Sequence, residues 1–178
     1  MMRWWVWGSG VTAAATLLAV AVAAPGRSSP GVAERSRFSW HRVLDPQERF
    51  RVVMGGEAVL DRETGLVWDK IPDTAVVRWA DASFLCYARS VGGRKGWRLP
   101  TVEEMSSLLD TSAQGPALPV GHPFSDVQNE VYWSATSIAG LAGNAWGVSM
   151  ENGTLFDQLK STSFHYWCVR GGPGYDGI

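Results

Sequence analysis

Two cysteines, Cys86 and Cys168, lie 82 positions apart and constrain this chain more than any other feature. They are the only two among 178 residues. If they are joined, a point near the middle of the chain must meet a point near its end. Disulfides persist in oxidising compartments and are rare where cellular thiols are kept reduced, so the N-terminus decides how the pair is read. Residues 1–7 carry one positive charge, Arg3, and residues 11–24 form an apolar run of alanine, valine and leucine. Ala21-Val22-Ala23 supplies a small-x-small cleavage pattern, so residues 1–23 read as a signal peptide cut after Ala23. The run is short beside the roughly 20 residues of a membrane-spanning helix. The alternative is an uncleaved helix starting at Trp4, which would anchor the chain in a membrane. In a secreted or periplasmic chain an even cysteine pair reads as a disulfide. A reactive thiol pair or a metal site would be the other options. There is no C-x-x-C, and His41, His122 and His165 lack ligand spacing, so the disulfide is favoured and no metal is expected. Closing a loop of this length stabilises a fold by about 4 kcal/mol in the chain-entropy view.

Residues 24–43 hold proline, glycine, serine and arginine with little apolar content, and read as a linker. A domain follows over residues 44–173, large enough to bury a core, with a tail at 174–178. The formal net charge is −1, from 16 basic and 17 acidic residues. That balance excludes bulk nucleic-acid binding, which needs a concentrated positive surface.

Within the domain, residues 58–60 and 66–68 flank Asp61 and Gly65 and predict a hairpin. Residues 79–89 predict a helix that ends near Gly92-Gly93, with Trp79, Ala82 and Cys86 on its inner face. In Gly96-Trp97-Arg98-Leu99-Pro100-Thr101, proline holds Leu99 extended and Thr101 takes the N-cap of a second helix. Glu104, three residues on, completes a reciprocal capping box. Met105, Leu108 and Leu109 give this helix an apolar face, and Gly115-Pro116 is expected to end it. Arg98 is read as paired with a nearby carboxylate and Trp97 as buried. Residues 115–129 predict a long loop. Strands are expected at 131–136, 144–150, 154–159 and 166–170, with Glu151-Asn152-Gly153 as a hairpin turn. Early helices and late antiparallel strands make the class α+β.

The ordered set DRETGLVW, WADASFLC, GWRLPTVEEMSSLLD, VYWSAT, NAWGVSMENG and WCVRGG resembles the Lcl C-terminal domain family, the C-terminal domain of bacterial collagen-like adhesins. The resemblance spans residues 57–172. It implies a C-type-lectin-like fold related to that of the formylglycine-generating enzyme. It further implies an N-terminal strand near the C-terminal one, two flanking helices, a second small sheet and a Cys86–Cys168 bridge from first helix to last strand. Trp97, Arg98, Leu99 and Pro100 would then be scaffold residues. The adhesin relatives are linked to sulfated polysaccharides and to trimers, so a homo-oligomer is among the implied assemblies. This chain carries no collagen-like Gly-x-y repeat.

Candidate ligand-binding residues follow from chemistry. Arg94 and Lys95 form the densest basic pair of the domain and suit sulfate groups, with Lys160 as a further cation. Trp146 could stack on a sugar ring, whereas Trp133 is expected in the core. Asp126, Asn129 and Glu130 could offer oxygens to a hard cation, but read better as a polar loop. No G-x-S-x-G, H-E-x-x-H or phosphate loop occurs, so no catalytic residue and no cofactor is expected. The expected function is an exported, non-enzymatic module that recognises a glycan or a protein. The alternatives are an enzyme of the formylglycine-generating lineage, which needs a free thiol, and a structural envelope protein.

Overall fold

The computed structural model describes residues 44–171. The expected signal peptide, linker and tail, and His41, lie outside the described residues. A short helix α1 (Pro46–Arg49) leads into β1 (Phe50–Val53), and a 3-10 turn (Met54–Gly56) into the hairpin β2 (Ala58–Asp61) and β3 (Val67–Asp69). Next come β4 (Asp73–Arg78), α2 (Trp79–Ala88) and α3 (Val102–Leu108). The chain ends in β5 (Val131–Ile138), β6 (Leu141–Ser149), β7 (Leu155–Leu159), β8 (Ser163–Tyr166) and β9 (Val169–Arg170). This is an α+β arrangement of two sheets. One has the antiparallel order β1-β2-β3-β9, the other the mixed order β4-β8-β5-β6-β7, in which β5 and β8 run parallel.

The centre of the second sheet, where β5 pairs with β6, is buried on both faces. Successive residues Tyr132 and Trp133 are both fully buried, yet they belong to different cores. Tyr132 and Val148 join Trp68, Trp167 and the α3 residues Val102, Met105 and Leu108. Trp133 and Ala145 join Trp97, Leu99 and the α2 residues Ala82 and Cys86. Side chains alternate across a strand, so a continuous apolar run is what a sheet buried on both faces requires. Cys86 and Cys168 form a disulfide within the second core, with a Cα–Cα distance of 5.4 Å.

The segment around Arg98 ties three elements together. Arg98 exchanges two backbone hydrogen bonds of 2.9 Å with Val169 of β9. Its guanidinium donates to both Glu104 oxygens at 2.7 Å and to the Gly171 carbonyl at 2.8 Å. Glu104 also accepts from the Thr101 N–H at 2.9 Å, while the Thr101 hydroxyl accepts from the Glu104 N–H at 3.2 Å. The Pro100 carbonyl accepts from Ala135 of β5 at 2.7 Å, and Trp97 is buried beside this joint.

Several boundaries differ from the sequence reading, three of them with a visible cause. Helix α2 stops at Ala88, before the glycines, because Arg89 turns extended and reaches two aspartates. Helix α3 stops at Leu108, well before Gly115-Pro116, and the Asp110 side chain then captures Ser112 in a local turn. The segment expected as one strand over 166–170 is divided. Tyr166 ends β8 in one sheet, Val169 opens β9 in the other, and Trp167-Cys168 cross between them.

Replacing both cysteines, Cys86→Ala with Cys168→Ala, is expected to lower unfolding free energy by about 4 kcal/mol, read by urea denaturation. Burial raises the Glu104 carboxyl, but the Arg98 hydrogen bonds and the Thr101 N–H outweigh it and hold the group below its ordinary 4.5. This contribution is therefore present above pH 4.5 and is lost as pH falls through the lower folded value. Glu104→Gln is expected to cost about 2 kcal/mol at pH 7, with the gap to wild type closing in acid.

Candidate functional site

An open cleft of about 620 Å³ lies where β3, β4, the end of α2 and the turn before β2 meet. Its floor is polar. Asp69 ends β3, is almost fully buried, and receives the Arg89 guanidinium in a close ion pair. Asp73 opens β4, and its carboxylate lies 3.5 Å from the same guanidinium. Arg89 reaches both because it leaves the helix at that residue. Glu57, Thr74 and Ser90 add polar groups to the walls, and Ile71 and Pro72 add an apolar edge.

The two aspartates differ in electrostatic state. Burial pushes the Asp69 carboxyl up further than the Arg89 charge and hydrogen bond bring it down, and neighbouring Asp73 adds to the rise. Burial acts on Asp73 as well. There the Ala75 N–H, the Tyr166 hydroxyl and Arg89 together prevail and hold the carboxyl below 3.8. Tyr166 is itself pushed well above the ordinary phenol value, by burial first and by its hydrogen bond to Asp73 second. At neutral pH the cleft therefore presents a braced, ionised Asp73 with the planar Arg89 fork beside it. Such fixed planar groups suit hydroxyl-rich ligands, because each can make paired hydrogen bonds without losing further side-chain freedom.

Sequence reasoning did not single out Asp69, Asp73 or Arg89. The only local sign is an aspartate directly after an apolar strand, four residues before another. Arg94 and Lys95 are exposed and follow the cleft wall in sequence, but neither lines the cleft. Val91, a wall residue, exchanges backbone hydrogen bonds of 3.2 and 2.9 Å with Arg94, and the Glu57 carboxylate accepts from the Gly92 N–H. Trp146 lies in β6 and Lys160 in the turn after β7, and neither lines the cleft. Trp146 is half-buried against the first core. The Lys160 ammonium donates to Ser137 Oγ at 2.8 Å and the Ala142 carbonyl at 2.9 Å, and sits 4.3 Å from the Trp79 ring centroid. Asp126, Asn129 and Glu130 lie in the exposed loop before β5. Among the described residues no group of three or more acidic, histidine or cysteine side chains is arranged to hold a metal. Both cysteines are consumed by the bridge.

Comparison with protein families matches residues 57–170 to the Lcl C-terminal domain. No curated protein matches the chain.

Removing the cation of the cleft leaves a buried carboxylate unpaired. Arg89→Met is expected to destabilise the fold by about 3 kcal/mol at pH 7. Adding Asp69→Asn should recover most of that loss, and a double-mutant cycle by chemical denaturation measures the coupling.

Proposed function

This chain belongs to the Lcl C-terminal domain family, and on that premise we propose an exported, non-enzymatic recognition module of C-type-lectin-like fold that binds a glycan in the Asp73–Arg89 cleft. The observation that carries the reading is the braced pair on the cleft floor: an ionised Asp73 fixed by Ala75, Tyr166 and Arg89. Neighbouring sugar hydroxyls offer donors to the carboxylate and acceptors to the guanidinium. Thr74 and Ser90 extend the hydrogen-bonding surface, and Ile71 and Pro72 offer apolar contact to ring C–H groups. Arg94 and Lys95, exposed in the turn that follows wall residue Val91, suit a sulfate or carboxylate substituent reaching out of the cleft. The floor carries more negative than positive charge, so the neutral hydroxyls of the ligand face the floor and its acidic groups face that turn.

The disulfide supports export, because such a bridge is maintained in oxidising compartments. It also argues against thiol chemistry of the formylglycine-generating kind, since Cys86 and Cys168 are each other's partners.

The test is a glycan array with the full exported chain, followed by calorimetry on the sugars retained. Asp73→Asn is expected to weaken binding about ten-fold, through loss of a charge-assisted hydrogen bond. Arg94→Ala with Lys95→Ala is expected to weaken only acidic glycans, and increasingly so at low salt. Because the Asp73 carboxyl is held below 3.8, the part of the affinity that it supplies should persist down to pH 3.8 and be lost beneath it. Retention of no glycan, or affinities unchanged by Asp73→Asn, would refute the reading.

A further inference from the structure

Strand β7 closes one side of the second sheet and pairs only with β6 in the strand order. The register sets Val148 against Leu155, Trp146 against Asp157 and Asn144 against Leu159. Hydrogen bonds at the two ends fix which residues point inward: Ser149 N–H to the Thr154 carbonyl at 2.9 Å, and Lys160 N–H to the Gly143 carbonyl at 2.8 Å. Inward and outward backbone groups alternate along an antiparallel strand. Thr154, Phe156, Gln158 and Lys160 therefore face β6, while Leu155, Asp157 and Leu159 turn their backbone groups away. The Leu159 carbonyl is taken by the Thr162 N–H at 2.9 Å. Among the described residues nothing bonds to the outward backbone groups of Leu155 and Asp157.

This edge lacks three of the usual protections. The segment Leu155–Leu159 contains no proline, no lysine and no bulge against its neighbour. It displays Leu155, Phe156 and Leu159, each more than a third exposed. On the face shared by Leu155, Asp157 and Leu159, one carboxylate stands between two leucines. Asn144 donates to one Asp157 oxygen at 2.7 Å, and among the described residues no hydrogen bond reaches the other.

We propose that β7 is a strand-addition site for an extended segment of another protein, one that sets a lysine or arginine opposite Asp157 and aliphatic residues opposite Leu155 and Leu159. Main-chain hydrogen bonds supply the docking, and the apolar–basic–apolar pattern supplies the selectivity. A second copy of this chain fits poorly. The antiparallel register that engages all three outward residues centres on Asp157 and places two carboxylates directly opposite each other, which is destabilising. The site is separate from the glycan cleft, and neither depends on the other.

The probe is a short blocked peptide in which valine, lysine and valine alternate with threonines, with a twin carrying glutamate for lysine. Both are titrated into the full exported chain, with backbone amide shifts read by NMR. The lysine peptide is expected to shift the β7 amides and to bind roughly five-fold tighter than its twin. Asp157→Lys should reverse that preference. Leu155→Pro removes an outward N–H while leaving the bonds to β6 intact, so the fold should persist and binding should fall about ten-fold. Asp73→Asn should change nothing here. The proposal is overturned if neither peptide binds, if both bind alike, if the shifts map away from β7, or if sedimentation shows β7-dependent dimers instead.

Discussion

The fold depends on how Trp167 and Cys168 cross from one sheet to the other. Strand β8 ends at Tyr166 in one sheet and β9 begins at Val169 in the other, so the crossing must be held while both sheets pack around it. Three bonds hold it. The Trp167 indole donates to the Asp69 carbonyl at 2.7 Å, the Cys168 carbonyl accepts from the Asp69 N–H at 3.1 Å, and the Cys168 sulfur is bonded to α2. Asp69 is thus gripped by its backbone on one side while its side chain forms part of the cleft floor on the other.

The two cores are divided by the second sheet and locked at their margins by polar groups. On the first, Arg49 donates to both oxygens of fully buried Asp61, at 3.0 and 2.7 Å, and also reaches the Ser107 carbonyl at the end of α3. On the second, Arg98 spans Glu104 and Gly171. In both cases a planar guanidinium satisfies several acceptors that the strand and helix termini leave open. A lysine could not repeat this, since one ammonium cannot match the paired geometry.

How much of this was legible depended on the range of the interaction. The Thr101–Glu104 capping box and the Asp61–Gly65 turn were readable because each is closed within five residues. The apolar faces of α2 and α3 were readable from spacing alone. The end of α2 was not, because it is set by Asp69 and Asp73 acting on Arg89 across the fold. Residues 166–170 read as one strand because Tyr166, Trp167, Cys168 and Val169 form one apolar run, and such a run does not say in which sheet each residue lies. Strand β4 went unnoticed. It lies at a sheet edge, and its exposed Thr74, Ala75 and Val76 give no alternation to detect. The cleft was hidden for the same reason as the end of α2: its charged residues meet only once the sheets have packed.

The sulfur bridge also makes a covalent ring of everything from α2 to the crossing. Helix α3, the long loop before β5 and all of β5 to β8 lie inside that ring. A protease that cuts the chain once within it produces a nick and no detached fragment, and the pieces remain tethered at the centre of the second core. The ring thus converts the exposed loop from a point of failure into a site where damage can be tolerated.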